Sequence, residues 1–263
     1  MGSNWTINTI KTGTLWESNN SGRFEVIAYR SAIDVDIRFV DTGFVLNTRS
    51  NQIRSGSVKD LMKPSVCGVG FIGGVTFKSK INGKHTKAYS SWRHIIKRCY
   101  GFCSDNAKIA YEGCNVSDEW LNFQNFADWY YTYETEDSKK YDVDKDIAFP
   151  GNKTYSKETC LLVESSINRF VLDSRKTRGE HMIGCSLSKG NGKFSSYCNN
   201  PFTGKCEHIG YFEREIDAHM AWRSVKVAHA IALAELQNDK RVRDAILLWA
   251  QSLKEFRVHP IEI

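Results

Sequence analysis

The sequence has 263 residues, with 36 Lys and Arg against 30 Asp and Glu, and a formal net charge of +6 at pH 7. Its hydrophobic fraction of 41% is enough for packed cores, and its length fits two or three compact domains. No apolar run approaches the ~18–20 residues of a membrane span and no signal-peptide pattern is present, so a membrane-spanning chain is excluded. The mild positive charge suits a polyanionic partner without identifying one.

Residues 1–80 are predicted to form a β-rich N-terminal module. Apolar and polar residues alternate with period two over 23–29 and 33–40, and Thr42-Gly43 supplies a hairpin turn after the second run. Short strands punctuated by glycine favour a small barrel-like module of SH3 size. The polar, glycine-containing segment 78–85 is predicted to be the linker that ends this module.

Residues 86–180 are predicted to form a second domain, rich in aromatic side chains. Helical spacing predicts one amphipathic helix around Trp92 and a second helix with acidic residues in its first turn. Strands predicted at 141–147 and 160–163 are separated by a loop, and a helix is predicted to follow at 164–174. The second domain therefore contains a strand–loop–strand–helix unit.

This unit resembles the ββα unit of HNH proteins encoded by phages. The likeness spans about 90 residues and includes the Gly151-Asn152 loop and the helical Asn168. It implies a nuclease centre in which a histidine activates water and a divalent cation, here Mg²⁺, stabilises the charge on the phosphate. The resemblance implies catalytic roles for Asp144, Asp146, Asn152 and Asn168, with Asp146 and Asn168 as the metal ligands.

The chain departs from the HNH pattern at the general base. Asp144 stands where the family has its histidine, and no histidine lies between His94 and His181. An unperturbed aspartate has a pKa of about 3.9, which makes it a weak base for water. One hypothesis is a DNA-binding protein with a degenerate nuclease centre, and another is an active metal-dependent nicking endonuclease. A third is a phage factor that acts on a host protein, in counter-defence or transcription control.

The eight cysteines contain no C-x-x-C pair. A zinc site built from Cys99, Cys103, Cys114 and Cys160 is conceivable, because some HNH folds carry structural zinc. Their spacing is not that of a zinc ribbon, so buried and inert thiols are expected rather than structural zinc. Reduced cysteines are typical of a cytoplasmic protein.

Residues 181–238 are predicted to form a glycine-punctuated sheet followed by a helix. Turn signals at 190–192 and 200–204 separate three short strands, which make an antiparallel sheet with one wet face. From 212 to 236, small and apolar residues such as Ala218 and Trp222 recur at three- and four-residue steps. A stripe made mostly of alanine allows the helix and the sheet to approach closely.

The sheet and helix resemble the plant ethylene-response-factor (Apetala-like) DNA-binding domain, whose relatives also occur in phage HNH homing endonucleases. The resemblance covers roughly 55 residues and is strongest at the Ile-Gly-Tyr-Phe step, residues 209–212, and the acidic, alanine-rich helix after it. It implies that the sheet reads the major groove of double-stranded DNA. The implied contact positions are Ser188, Lys189, Lys193, Tyr197, Asn199, Lys205 and His208.

Residues 239–263 are predicted to contain a C-terminal amphipathic helix. The expected fold class is therefore α+β: a barrel-like module, an HNH-like ββα unit with flanking helices, and a three-stranded antiparallel sheet packed on a helix. The expected function is that of a phage-type DNA-binding protein of the HNH homing-endonuclease family, acting in the cytoplasm of an infected host cell.

Overall fold

The computed structural model describes residues 9–101, 111–172 and 180–255, which form a mixed α+β structure. An N-terminal antiparallel sheet comes first, as the period-two alternation predicted. Its inward-facing side chains are buried and apolar, among them Phe24 and Ile37. The strands lie side by side in chain order: β1 (Leu15–Ser18), β2 (Gly22–Ser31), β3 (Asp34–Phe39) and β4 (Val45–Thr48).

The predicted barrel closure is not formed by the described residues. β1 and β4 are the two edges of the sheet and do not pair with each other. About eight strands are typical of a barrel whose interior is filled by side chains, and four short strands fall well below that number. The open apolar face is covered instead by the short helix α1 (Ser50–Arg54) and the segment after it, through the buried Ile53 and Val58.

Residues 80–85, within the segment predicted as a linker, form a β-hairpin. β5 (Lys80–Ile81) pairs with β6 (Lys84–His85) in antiparallel register. The two turn residues between them, Asn82 and Gly83, have φ values of +49° and +76°. Asn-Gly with positive φ at both positions is the preferred two-residue hairpin turn, because its twist matches that of the strands.

The largest hydrophobic core begins in the middle of the chain and continues into the C-terminal part. Thr86 caps the first helix there, its Oγ1 accepting a hydrogen bond from the Tyr89 N–H at 3.3 Å. The indole N–H of the fully buried Trp92 donates to the Trp120 carbonyl at 2.7 Å. Asn122 interrupts the predicted second helix, and its side chain caps the part that follows. The helices are α2 (Lys87–Tyr100), α3 (Asp118–Leu121) and α4 (Phe123–Tyr130).

An antiparallel strand pair and a helix follow in the order that the sequence predicted. β8 (Tyr141–Asp144) pairs with β10 (Leu161–Glu164), and α5 (Ser165–Val171) begins directly after β10. Within the intervening loop, β9 (Thr154–Tyr155) pairs in parallel with the upstream β7 (Asn115–Val116). Residues 173 and 174 of the predicted helix lie outside the described residues.

The C-terminal part is a three-stranded antiparallel sheet packed on a long helix. The sheet order is β11, β12, β13, and α6 packs on it while also packing against α7. These elements are β11 (Cys185–Leu187), β12 (Phe194–Asn199), β13 (Cys206–Phe212), α6 (Glu215–Glu235) and α7 (Lys240–Lys254). The tail helix predicted from periodicity is present as α7.

The buried face of α6 differs from the predicted alanine stripe. Ala218 and Trp222 are buried as expected, but Ala228 is exposed, and Arg223 and Lys226 are buried. The helix packs against the sheet, α7 and the Phe170 ring of α5, so its buried surface is wider than one stripe. Among the described residues, no helix is both long and apolar enough to cross a membrane.

Candidate nucleic-acid interface

The face of the three-stranded sheet that points away from α6 is exposed and polar. Tyr197 pairs in register with His208, and Asn199 pairs with Cys206, so each pair shares a face. All four residues are exposed. Cys198, between Tyr197 and Asn199, is buried on the helix side, with its Sγ 3.9 Å from Nδ1 of His229 on α6. We call the exposed side the outer face.

Three rings form a row on the outer face. The ring centroids of Tyr197 and His208 lie 4.9 Å apart, and those of His208 and Tyr211 lie 4.7 Å apart. Tyr211 is not among the predicted contact positions, because plain alternation puts residues three apart on opposite faces of a strand. A register shift between Ser196 and Tyr197 leaves Ile209 as an extra residue, and this bulge brings Tyr211 onto the outer face.

Lysines lie at both ends of the central strand, with Lys189 and Lys205 exposed and Lys193 partly exposed. Lys189 and Lys193 belong to the turn before β12, whereas Lys205 belongs to the turn after it. Six residues of strand span about 20 Å, so the two basic turns flank the row of rings. Lys193 Nζ pairs with Glu213 at 2.7 Å, but both side chains are largely exposed, and such pairs are weak enough to exchange for a phosphate.

The turn before β12 is held by Ser188, another predicted contact residue. Its backbone N–H donates to the Lys193 carbonyl at 2.9 Å, and its carbonyl accepts from the Gly192 N–H at 3.0 Å. Ser188 therefore fixes the shape of the turn through its backbone. The hydroxyl of the buried Ser195 lies 2.9 Å from that of Ser186 and donates to the Ser186 carbonyl at 3.0 Å, which ties β12 to β11.

The outer face offers the groups that protein–DNA interfaces use. Phenol, imidazole and amide groups on Tyr197, His208 and Asn199 can donate and accept hydrogen bonds at base edges. The lysines at both ends can contact phosphates, which fix position without reading sequence. A narrow antiparallel sheet is also thin enough to enter a major groove about 12 Å wide.

Asp144, the predicted catalytic aspartate at the end of β8, is buried and hydrogen-bonded to the backbone of the turn that follows. Asp144 is only 8% exposed, and its Oδ1 accepts hydrogen bonds from the backbone N–H groups of Asp146 at 2.8 Å and Ile147 at 2.7 Å. Burial raises its pKa, and the two backbone hydrogen bonds partly oppose that shift. Asp144 therefore holds the turn that follows β8.

The other predicted residues of the ββα unit also have defined partners. Asp146 Oδ2 lies 2.6 Å from Lys145 Nζ in a largely buried ion pair. The Asn152 amide donates to the carbonyls of Lys145 and Thr154 and accepts from the Thr154 N–H, so it fixes the shape of the loop.

Asn168 on α5 contacts Asp142, which is not among the predicted site residues. Its Nδ2 donates to Oδ2 of Asp142 at 3.3 Å, on the first strand of the unit. Asp142 precedes Asp144 by two residues, and the period-two rule places both on one side of β8. That spacing was the available signal for Asp142.

The residues predicted to bind a metal do not form an oxygen-rich set in the described part of the chain. Asp146 is neutralised by Lys145, while Asn168 is engaged with Asp142. Mg²⁺ binds carboxylates and waters in near-octahedral geometry, and a lysine ammonium beside the carboxylate opposes it. No three His, Cys, Asp or Glu side chains come together among the described residues, and Cys103 lies outside them.

A pair of Asp144 variants separates its structural role from a catalytic one. We expect Asp144→Ala to lower the free energy of unfolding by about 1–3 kcal/mol, because two buried N–H groups lose their acceptor. Asp144→Asn keeps an acceptor oxygen and removes the buried charge, so its stability is expected to match or exceed that of the wild type at pH 7. Urea denaturation measures both. An alanine variant as stable as the wild type would contradict this assignment.

Comparison of the chain with protein-family models, curated proteins and solved structures finds no match, so neither a family nor a relative supplies a function for it.

Proposed function

We propose that this protein binds double-stranded DNA and reads the major groove with the outer face of its C-terminal sheet. The observation that supports this most is the exposed row Tyr197–His208–Tyr211, with lysine-bearing turns at both ends of β12. Hydrogen-bonding groups in the centre and cations at the ends match the division between base contacts and phosphate contacts. Binding is expected to weaken with salt, because phosphate contacts release counterions.

The ββα unit is proposed to act as a degenerate nuclease centre that supports DNA binding. Asp144 replaces the expected histidine, is buried, and holds the turn after β8. Its carboxylate is therefore unsuited to take a proton from a water at the surface. The remaining polar residues, Asp146 and Asn152, are engaged with Lys145 and with the loop.

Metal-dependent nicking is the second candidate function. The observation that favours it is the contact between Asp142 and Asn168, which brings a carboxylate and an amide together beside the first strand. Incubation of labelled duplexes with the protein in Mg²⁺, Mn²⁺ or EDTA separates the two candidates. A footprint that is unchanged in EDTA, without strand breaks, supports the binding function, and metal-dependent breaks support nicking.

A variant of Tyr197 tests directly whether the outer face contacts DNA. After selection of a preferred duplex from a random pool, we expect Tyr197→Ala to weaken binding to that duplex by about 10- to 100-fold, the usual cost of a base contact. Fluorescence anisotropy at fixed salt measures the Kd. The matched control is Tyr29→Ala, because Tyr29 also lies on a strand and is 41% exposed, against 40% for Tyr197.

Two results would contradict the proposal. One is an equal Kd for Tyr197→Ala and Tyr29→Ala on the selected duplex. The other is a wild-type protein that binds no duplex while capturing a host protein, which is the outcome expected of a factor in counter-defence or transcription control.

A further inference from the structure

The positive charge of the chain is concentrated outside the three-stranded C-terminal sheet. Residues 61–104 contain eight Lys and Arg and no Asp or Glu, so acids outnumber bases by two in the rest of the chain. Residues 180–214, which include the sheet, contain four Lys and Arg against three acids. The sheet alone therefore has little of the charge that non-specific DNA affinity requires.

The basic segment includes a hairpin that projects its lysines into solvent. Both strands and the Asn82-Gly83 turn are exposed, with Lys80 opposite His85 and Ile81 opposite Lys84. Among the described residues, no ion pair involves Lys80 or Lys84. Lys87, just beyond the hairpin, does pair with Asp137 at 2.8 Å.

The hairpin is fixed to the core at its base. The His85 ring stacks on Tyr89 of α2, with centroids 4.8 Å apart. The Gln124 amide donates to the carbonyls of Ile72, Gly74 and Phe77, and its oxygen accepts from the Phe77 N–H, so the segment that leads into β5 is tied to α4. A hairpin held in this way presents its cations with little ordering cost on binding.

Helix α2, which follows the hairpin, carries further basic residues. Lys97 and His94 are exposed in its last turns, whereas the Arg98 guanidinium lies 5.3 Å from the centre of the Tyr111 ring. The pKa of His94 is lowered by partial burial and then by the charges of Arg98, Lys97 and Arg93, as expected in a positive local field. The hairpin and this side of α2 carry one sign of charge.

We propose that the β5–β6 hairpin forms a second DNA-contact surface, which binds phosphates without reading sequence. A two-stranded ribbon bearing lysines is a shape that duplex grooves accept, and phosphate contacts supply most of the non-specific affinity. This inference rests on the proposed DNA-binding function. It assigns affinity to the hairpin and sequence preference to the outer face of the sheet.

A double variant tests the second surface. We expect Lys80→Gln with Lys84→Gln to weaken binding about 10-fold or more on selected and unrelated duplexes alike, and to reduce the slope of log K against log salt by about 2. Lys80→Arg with Lys84→Arg keeps both charges and is expected to retain the affinity. The matched control is Lys11→Gln with Lys254→Gln, two exposed lysines on other parts of the chain.

The outcomes separate this inference from the proposed function. A glutamine double variant that keeps the wild-type Kd and salt slope overturns the second surface, whatever Tyr197→Ala does. If this variant loses affinity while Tyr197→Ala keeps the wild-type Kd, the second surface is supported and the role of the outer face in reading DNA is overturned. A wild-type protein that binds no duplex would overturn both. Because the substituted side chains are exposed, the Tm is expected to equal that of the wild type.

Discussion

Gly184→Ala is expected to disrupt the packing of the C-terminal sheet on α6. Gly184 has φ +79°, and a Cβ there would lie 2.0 Å from Cγ of Trp222 and 2.3 Å from its Cδ1. The left-handed backbone costs an alanine about 1–2 kcal/mol, and overpacking a core adds about 1–3 kcal/mol. The Gly184 carbonyl also accepts from the Tyr197 N–H at 3.0 Å, so a shift here moves the row of rings.

Gly192→Ala is the matched control for this prediction. Gly192 has φ +68°, but a Cβ there would meet nothing within 4 Å, so only the backbone cost applies. Thermal unfolding and the Kd for the selected duplex are measured for both variants. We expect Gly184→Ala to lose several-fold more affinity and to melt lower than Gly192→Ala. Equal effects of the two substitutions would show that Trp222 does not pack closely on Gly184.

Elements with a simple hydrophobic period were predictable from the sequence. The strands of the N-terminal sheet, helix α2, and the sheet followed by a helix after residue 180 all show such a period. The hairpin of residues 80–85 was missed, although Asn82-Gly83 is a strong local signal, because its strands are two residues long and mostly polar. Short polar strands have no period to detect.

The candidate site was predictable only where a strand alternates regularly. Alternation along β12 correctly places Tyr197 and Asn199 on the outer face. Tyr211 lies on that face because of a bulge at Ile209, and the sequence contains no pattern that predicts this bulge. At the ββα unit, the position that the resemblance assigns to the base is Asp144, whereas the aspartate that contacts Asn168 is Asp142. The partners of Asp146 and Asn168 are set by tertiary packing, which the order of strands and helices does not specify.

Lys226→Met is expected to stabilise the protein at neutral pH. Lys226 is 8% exposed on α6, and its Nζ lies 3.5 Å from the centre of the Phe170 ring on α5. Burial lowers its pKa to about 8, against an ordinary value of about 10.4. The folded state therefore disfavours the charged ammonium, and at pH 7 this costs roughly 3 kcal/mol of stability. Methionine has a similar length and no charge.

The sign of the pH dependence follows from these two pKa values. Below pH 8, Lys226 is protonated in both states and the full penalty applies. Between pH 8 and about 10.4 the unfolded chain binds more protons than the folded one, so the contribution of Lys226 to the free energy of unfolding rises with pH. The difference between Lys226→Met and the wild type is therefore expected to be largest at pH 7 and nearly absent above pH 10.

Urea denaturation at pH 7 and pH 10 measures this difference, with Lys254→Met as the control because Lys254 is exposed on α7. The control is expected to show no comparable change between the two pH values. If Lys226→Met were less stable than the wild type at pH 7, Lys226 would be a stabilising residue. The attraction between its ammonium and the Phe170 ring would then exceed the cost of burying the charge. In that case the buried cation, rather than apolar packing, would join α6 to the ββα unit.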